Sequence, residues 1–280
     1  MTVWCNSVTC DGFIPSVNLG YDNLNNFPSS ANRPVLSGNV LNWIGPVNGG
    51  PSTLHDVPQS RILTPTSGRQ ISGNGTIVQG ESITGKIQIV GTNVTVMQCA
   101  INGNGEAFGV DSDSVVVLIE DCVVFGPSTL GNAAVLGQGT FRRCNFFGFE
   151  NGCLPQANTT VIDCWIHDLA NTGSSDPHID GIFCGDNVQA IHNSVTSWDT
   201  SCVFFSANPN GVVDRNLLIN DPAHGNTSVC IHGGSASNTA TITNNILQAG
   251  NTGYFSTDGG SAAVWFNNRD YVTGNAIPSP

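Results

Sequence analysis

Short segments rich in Val, Ile and Phe recur along the chain from about residue 95 onward, separated by turns rich in Gly, Asn and Asp. Eight of these segments place a Cys or an Asn at the same point: VMQCAI, IEDCVV, RRCNFF, IDCWIH, IHNSVT, DRNLLI, TNNILQ and TGNAIP. Their shared residues are Cys99, Cys122, Cys144, Cys164, Asn193, Asn216, Asn245 and Asn275, spaced by 23, 22, 20, 29, 23, 29 and 30 residues. A period of this length, with strand-type composition and no helical pattern, predicts a β-solenoid.

A second strand precedes each shared residue by 9 to 14 positions, in the segments NAAVLG, NGCLPQ, DGIFCG, SCVFFS, VCIHGG and AAVWFN. Each coil therefore has at least two strands. The segments that differ most in length are GPSTLGN, HDLANTGSSDPHI, NDPAHGNT and QAGNTGYFSTDGGS. We expect all four at one corner, between the strand of the shared residue and the first strand of the next coil. Functional residues of solenoids usually lie on such a decorated edge.

Successive coils of a solenoid stack at about 4.8 Å, so equivalent side chains form ladders. Stacked Asn side chains can hydrogen-bond to the backbone and to one another, and Cys is small and apolar enough for the same buried position. We therefore predict that the first four shared cysteines form a reduced, buried stack, with disulfides between neighbouring coils as the alternative. Cys5 and Cys10 lie outside the repeat and have no assigned role.

The first 75 residues do not show the repeat cleanly and are rich in proline, which is rare in interior strands. We predict that residues 1–75 form an N-terminal cap or attachment segment and that residues 76–280 form the solenoid. A solenoid needs a covered end, because an open terminal strand invites aggregation.

Charge limits the partners of the chain. The formal net charge is −12, with Lys86 as the only lysine, so nucleic acid is not an expected partner. An acidic polysaccharide would need a bridging cation such as Ca²⁺, whereas a neutral polysaccharide or a protein would not. No apolar run reaches the length of a membrane span, and the first residues do not resemble a signal peptide. Either a signal peptide has been removed or the protein does not use Sec export.

The segments NVTVMQCAI, FRRCNFFGFENG, VIDCWIHDL, PHIDGI, AIHNSV and VVDRNLL resemble the pectate-lyase-like right-handed β-helix superfamily. They are most similar to short β-helix proteins of secreted bacterial polypeptides and phage particles, over about two-thirds of the chain. The resemblance implies an all-β, right-handed parallel β-helix of about eight coils. Because that superfamily contains lyases, hydrolases, epimerases and non-catalytic virion parts, the fold does not define the function.

The segment SSDPHIDGI is where acidic residues and a histidine converge. Aligning Ile179 with Thr200 and Thr227 brings residues of successive coils together. His178 then lies near Asp199 and Asn226, and Asp180 lies near Ser201 and Ser228. The predicted catalytic group is Glu150, His178, Asp180 and Asp199, and the predicted substrate-binding residues are Asp176, His167, Asp168, His224 and His232, with His167, Asp168 and His224 on flanking loops.

Two carboxylates one or two coils apart would be about 5 to 10 Å from each other, the range that glycosidases use. The HIDG segment resembles the NTDG-type coil of β-helix polygalacturonases, which implies a role for Asp180. The next coil departs from that family, because it reads Thr200, Ser201 and Cys202 where paired acids are expected, and Thr227 stands where a histidine is expected. A lyase needs a basic residue, and we expect Arg142, Arg143 and Arg215 away from the loops.

Three interpretations of this segment remain open: turn formation, catalysis, and binding of a glycan or metal without catalysis. For the whole chain we favour a phage virion surface component (tail, spike or decoration protein) that binds host polysaccharide. Residues 1–75 would attach it to other virion proteins, and analogy suggests a homotrimer. The alternative is a polysaccharide hydrolase or lyase acting at the loop edge. The expected location is the virion surface, or outside the cell if a signal peptide was removed.

Overall fold

The computed structural model describes residues 3–5, 8–10, 33–44, 60–126, 132–171, 177–205, 210–233, 240–256, 262 and 264–280, and these ranges contain strands, turns and loops but no helix. The first five strands are β1 (Val3–Cys5), β2 (Val8–Cys10), β3 (Arg33–Ser37), β4 (Val40–Ile44) and β5 (Ser60–Ile62). β1 and β2 pair antiparallel with each other, and β3, β4 and β5 form an antiparallel sheet with β4 in the centre. No helix within these ranges has the length and apolar character that a membrane crossing requires.

The remaining 24 strands belong to one sheet. They are β6 (Thr64–Ile71), β7 (Ile77–Gln79), β8 (Glu81–Ile89), β9 (Val94–Met97), β10 (Ala100–Asn102), β11 (Phe108–Glu120), β12 (Val123–Phe125), β13 (Ala133–Arg142), β14 (Asn145–Phe147), β15 (Asn151–Pro155), β16 (Thr160–Ile162), β17 (Trp165–His167), β18 (Asp180–Cys184), β19 (Gln189–Ile191), β20 (Ser194–Ser197), β21 (Ser201–Phe205), β22 (Val212–Asp214), β23 (Leu217–Asn220), β24 (Ile231–His232), β25 (Thr241–Thr243), β26 (Ile246–Leu247), β27 (Phe255–Ser256), β28 (Val264–Phe266) and β29 (Arg269–Asp270).

From β13 to β26, every strand pairs in parallel with the strand three positions later in the chain. This pattern is consistent with a β-solenoid that has three strands per coil. We name the three stacks by their strands. Column A contains β10, β12, β14, β17, β20, β23, β26 and β29; column B contains β15, β18, β21, β24 and β27; column C contains β16, β19, β22, β25 and β28. The long strands β11 and β13 contribute to both column B and column C.

The chain passes through each coil in the order B, C, A, and the corner between columns C and A is built the same way in every coil. A residue in the left-handed region, with φ between 51° and 58°, precedes each ladder residue at this corner: Gln98, Asp121, Arg143, Asp163, His192, Arg215, Asn244 and Asn267. The residues that follow them are Cys99, Cys122, Cys144, Cys164, Asn193, Asn216, Asn245 and Asn268. The local backbone therefore makes the same sharp turn at each repeat.

Cysteine and asparagine occupy one continuous ladder at the C–A corner. The Cys164 Sγ donates to the Phe141 carbonyl of the preceding coil at 3.5 Å, and the equivalent Asn193 Nδ2 donates to the Val161 carbonyl at 2.9 Å. Asn193 Nδ2 also donates to Asn216 Oδ1 at 3.0 Å, and this bond is repeated between the next asparagines. The predicted column of Cys followed by Asn is therefore confirmed.

The last ladder residue is Asn268, and the prediction of Asn275 is wrong. Asn245 Nδ2 donates to Asn268 Oδ1 at 2.9 Å. Asn275 instead lies in the C-terminal segment, where the Arg269–Ala276 bridge is antiparallel. The apolar residues beside Asn275 match the sequence pattern of the repeat, but the segment that contains them runs antiparallel to the last strand.

All eight described cysteines from Cys99 to Cys230 are free and buried. The four ladder thiols contact their neighbours in the stack as hydrogen-bonding partners, as Cys122 does with both Cys99 and Cys144. A reduced stack is thus what the structure contains over this stretch. The side chains of Cys5 and Cys10 lie outside the described residues.

The longer connections occupy two corners, where one was predicted. In chain order, β12, β17 and β23 of column A each precede a column B strand, as expected, but QAGNTGYFSTDGGS contains β27 of column B and ends before β28 of column C. Likewise, AAVWFN holds β28, which pairs with β25 in column C and not with column B. Both errors have one cause: strands of all three columns carry the same apolar pattern, so the sequence does not label the column.

The parallel sheet begins at Thr64, inside the segment that was expected to form the cap, because β6 pairs in parallel with β8. The β3–β5 sheet lies beside the solenoid. Leu41 and Leu63 are buried against Ala100 and Val123 on the outer face of column A. Part of the N-terminal segment therefore covers one side of the first coils.

Candidate functional site at the A–B corner

The A–B corner brings together the predicted residues of successive coils. Asp180 pairs with Ser201 in the β18–β21 register, and its backbone N–H donates to Asn151 Oδ1 at 3.1 Å. The backbone N–H of His178 donates to Glu150 Oε1 at 3.5 Å, the long end of the hydrogen-bond range. Glu150, His178 and Asp180 are therefore neighbours, as the alignment predicts.

One part of the predicted alignment is wrong by a single residue. Asp199 pairs with Thr227 in a parallel bridge, and its backbone N–H donates to the Asn226 carbonyl at 3.3 Å. Its partner in register is therefore Thr227 and not Asn226, and Ser228 is not in register with Ser201. The reason is local. Asn220 Oδ1 accepts hydrogen bonds from Thr227 N at 3.0 Å and from its Oγ1 at 2.9 Å, which fixes buried Thr227 as the first residue after the loop.

Asp180 is enclosed by this corner. Its relative exposure is 0%, and Ser201 Oγ donates to Asp180 Oδ1 at 2.6 Å. Among the described residues the second oxygen, Oδ2, has no hydrogen-bond partner. Burial raises the pKa of Asp180 to about 7, against smaller opposing effects of Ser201 and His178. The carboxyl group is thus out of contact with solvent and keeps its proton up to about pH 7.

The groups above Asp180 remain open to solvent. His178 is exposed, and Glu150 and Asp199 are partly exposed. Asp199 Oδ2 accepts a hydrogen bond from Thr200 Oγ1 at 3.2 Å, which orients the carboxylate. These three side chains can exchange hydrogen bonds with hydroxyl groups of a ligand. Asp176, which was predicted with them, lies outside the described residues.

A histidine supported by a buried carboxylate lies farther along the same corner. His224 Nδ1 is 2.8 Å from Asp221 Oδ2, and its ring stacks on Trp198 with centroids 5.0 Å apart. Trp198 Nε1 donates to the Leu169 carbonyl at 2.9 Å. The hydrogen bond from His167, with a smaller contribution from His224, lowers the pKa of exposed Asp168. Asp221 and Trp198 were not among the predicted site residues. The spacing of three residues between Asp221 and His224 could have been used to predict that they pair within one turn.

Two predicted residues lie elsewhere. His167 is in β17 and only 4% exposed, so the expectation that it lies on a flanking loop is wrong. His232 lies on the outer face of column B, where its ring stacks on Phe204 with centroids 4.7 Å apart, and Phe204 stacks on Phe183 at 4.9 Å. All three rings are partly exposed. They lie about three residues along the strand from the corner, which is about 10 Å.

The three arginines considered as a lyase base lie at the C–A corner, away from the variable loops as expected, and they pair with carboxylates. Arg143 Nε is 2.8 Å from Asp121 Oδ1, Arg142 Nη2 is 2.8 Å from Glu120 Oε1, and Arg215 Nε is 2.7 Å from Asp214 Oδ2. They are therefore not placed to act as a base at the A–B corner. Within the described part of the chain, no three His, Cys, Asp or Glu residues are arranged to hold a metal ion.

Comparison of the chain with protein-family models, with curated proteins and with solved structures gave no match. The fold and the geometry of this corner are therefore the basis for assigning a function.

Proposed function

We propose that the chain is a right-handed parallel β-helix of the pectate-lyase-like type that binds a neutral polysaccharide without cleaving it. The binding surface comprises the A–B corner and the outer face of column B. The observation that carries this proposal is the line of partly exposed rings, Phe183, Phe204 and His232, beside solvent-exposed polar side chains at the corner.

Sugars offer apolar C–H faces and hydroxyl groups, and binding sites for them combine apolar rings with a few placed polar groups. The three rings stack face to face and are partly exposed, so they form a continuous ridge on the outer face of column B. The position after His232 in the ladder is Ser256. Glu150, His178 and Asp199 would bind hydroxyl groups at the other side.

The charge of the protein favours a neutral ligand. At a net charge of −12, an acidic polysaccharide would be repelled unless cations such as Ca²⁺ screened it or bridged it to the protein. Carboxylates accept hydrogen bonds from sugar hydroxyls regardless of this charge.

Binding without cleavage follows from the position of Asp180. A catalytic acid must come within hydrogen-bond distance of the scissile oxygen, and Asp180 has no exposed surface. The second candidate, a hydrolase, is favoured by one observation: Asp180 has a pKa of about 7 and an oxygen without a partner among the described residues, which suits general acid catalysis. It would require the corner to open when substrate binds.

We further propose that the protein acts as a phage virion surface component. Eight free buried cysteines suit a protein that folds in a reducing compartment, as virion parts do before host lysis. Attachment to other virion proteins through residues 1–75 and assembly into a homotrimer belong to the same proposal and rest on analogy.

The binding surface is tested by affinity electrophoresis of the whole protein through gels containing neutral or acidic polysaccharides, with and without Ca²⁺. We expect retardation by a neutral polysaccharide, and a Kd about tenfold weaker for Phe204→Ala, which corresponds to about 1.4 kcal/mol. The matched control is Phe266→Ala, because Phe266 is 66% exposed on column C and should not contribute.

Product analysis separates binding from cleavage. Incubation with the retarding polysaccharide should release neither new reducing ends nor unsaturated ends. Release that disappears in Asp180→Asn would establish the hydrolase instead. If no polysaccharide retards the protein, or if both Phe variants lose binding equally, the proposed surface is wrong. The virion assignment is tested separately, by whether the gene lies among phage structural genes.

A further inference from the structure

A chain of hydrogen bonds joins the β3–β5 sheet to the outer face of column A. The Pro34 carbonyl of β3 accepts from Asn145 Nδ2 at 3.2 Å. Asn145 Oδ1 is 2.8 Å from His167 Nε2, and His167 Nδ1 is 2.6 Å from Asp168 Oδ2. Asn145 and His167 are both buried, with exposures of 3% and 4%. The contact thus runs from the N-terminal sheet to a surface carboxylate through two enclosed side chains.

This geometry fixes the protonation of His167. The Asn145 amide must direct its NH₂ toward the Pro34 carbonyl, because the flipped amide would place two acceptor oxygens against each other. Its Oδ1 then faces His167 Nε2, which must donate. On the other side, Nδ1 faces the Asp168 carboxylate, which is ionised because the hydrogen bond from His167 lowers its pKa. Both ring nitrogens therefore carry hydrogen, and the ring is an imidazolium.

The surroundings of the ring suit a cation. His167 stacks on Trp165 with centroids 3.3 Å apart and on Phe147 with centroids 5.1 Å apart, and a cation over an aromatic face is stabilised. Among the described contacts of His167, the titratable partner is Asp168, and His224 in turn acts on Asp168. The N-terminal sheet contributes the uncharged Pro34 carbonyl, and the neighbouring column A strand contributes the Asn145 amide.

We infer that protonated His167 fastens the β3–β5 sheet to the solenoid, and that this attachment weakens when His167 loses its proton. A neutral imidazole has one N–H and can serve only one of its two acceptors. Either the bond to Asp168 or the bond to Asn145 is then lost, and the Asn145 amide is no longer held toward Pro34. The apolar contact of Leu41 and Leu63 with column A remains, so the sheet loosens without being expelled.

Hydrogen exchange of the full chain tests the inference in peptides covering β3 and β4, after correction for the intrinsic pH dependence of exchange. We expect protection of residues 33–44 to fall about tenfold between pH 6 and pH 9 in the wild-type protein. In His167→Gln, whose amide is uncharged at both values, protection should be low and independent of pH. His192→Gln is the matched control, because His192 also pairs with an aspartate, Asp163, but at the C–A corner; it should keep the wild-type dependence.

Nitrogen NMR of the wild-type imidazole rings tests the same point without any variant. At pH 6, both nitrogens of His167 should show the protonated state. A neutral single tautomer at pH 6, wild-type protection that is equal at the two pH values, or a fall in protection that persists in His167→Gln would each overturn the inference.

Discussion

Replacing Asp180 by Asn is expected to make the protein progressively more stable than the wild type as the pH rises from about 4 to 7. The substitution keeps the size of the side chain and its acceptor for Ser201 Oγ, and it removes the buried ionisable group. Burial raises the pKa of Asp180 to about 7 from an ordinary value of 3.8. The folded state therefore holds a proton that the unfolded state has released between these two values, and the free energy of unfolding falls as the pH rises through this window.

The magnitude follows from the two pKa values. Each unit of difference is about 1.4 kcal/mol, so the stability difference between Asp180→Asn and the wild type should grow by about 4 kcal/mol in total across the window. Above about pH 8 the difference should be constant, because Asp180 is then ionised in both states. Ionising Asp180 in the folded wild type is unfavourable because the carboxyl group is buried and its Oδ2 has no hydrogen-bond partner among the described residues.

Equilibrium denaturation in urea at pH 5, 6, 7 and 8, followed by tryptophan fluorescence and circular dichroism, measures the difference. Asp214→Asn is the control. Asn244, Thr243 and Arg215 lower the pKa of Asp214 in the folded protein. The ionised Asp214 therefore contributes fully to the free energy of unfolding above the ordinary pKa of an aspartate, and this contribution is lost only as the pH falls below that pKa. That variant should therefore show a loss that does not change between pH 5 and pH 8. If the stability difference between Asp180→Asn and the wild type is also constant from pH 5 to pH 8, the conclusion that Asp180 is buried with a raised pKa is refuted.

Three further predictions concern the C–A corner. Asn216→Ala should destabilise the protein by about 2 to 4 kcal/mol in the same denaturation assay, because it removes the acceptor of the Asn193 backbone N–H and Nδ2 and the donor to the Ala190 carbonyl. Asn216→Cys should cost less, and equal losses would argue against a shared position for the two residue types. The eight described thiols should not react with a thiol reagent in the native protein and should react on unfolding; rapid native reaction would show that the stack is open. Arg215→Gly should raise the free energy of unfolding by about 0.5 to 1 kcal/mol. Glycine adopts the left-handed conformation at this position (φ 56°) without steric cost, and this gain outweighs the loss of an exposed ion pair. A loss of stability would mean that the ion pair with Asp214 is the stronger effect.

The repeat could be predicted from the sequence because its ladder residues must fit one buried position in every coil. Cys164 and Asn193 differ in chemistry, yet both donate to a carbonyl of the preceding coil, and this shared requirement is visible as spacing. The column of each strand could not be predicted, since the inward-facing residues of all three columns come from the same apolar types, mainly Val, Ile, Ala, Cys and Phe. This is why β28 was assigned to column B and why Asn275 was mistaken for a ladder residue.

The candidate site was predicted less completely, because it depends on loops whose length varies. Counting residues between coils placed Glu150, His178 and Asp180 together, since the β15–β18 and β18–β21 registers are fixed by paired strands. The count failed at Thr227, where a side chain of β23 caps the end of the loop and moves the register by one residue. The burial of Asp180 and His167 could not be read from residue type, because polar residues are enclosed only through contacts made by distant segments.

The C–A corner is built the same way in successive coils, whereas the other two corners vary in length. This difference explains how the chain can fix the register of its coils and still carry different loops on its surface. Non-glycine residues in the left-handed conformation cost about 1 to 2 kcal/mol each, and the C–A corner contains one in coil after coil. The same residues interact between coils, as Asp121 does with Arg143 and Asp163 with His192, while the Asn ladder links the residues that follow. These bonds form only when the coils are in the correct register, so the strain is offset in the native alignment and not in a shifted one.

Because register is fixed at this corner, the A–B and B–C corners can change in length without misaligning the columns. The same division of roles favours a binding site at the A–B corner over one at the C–A corner.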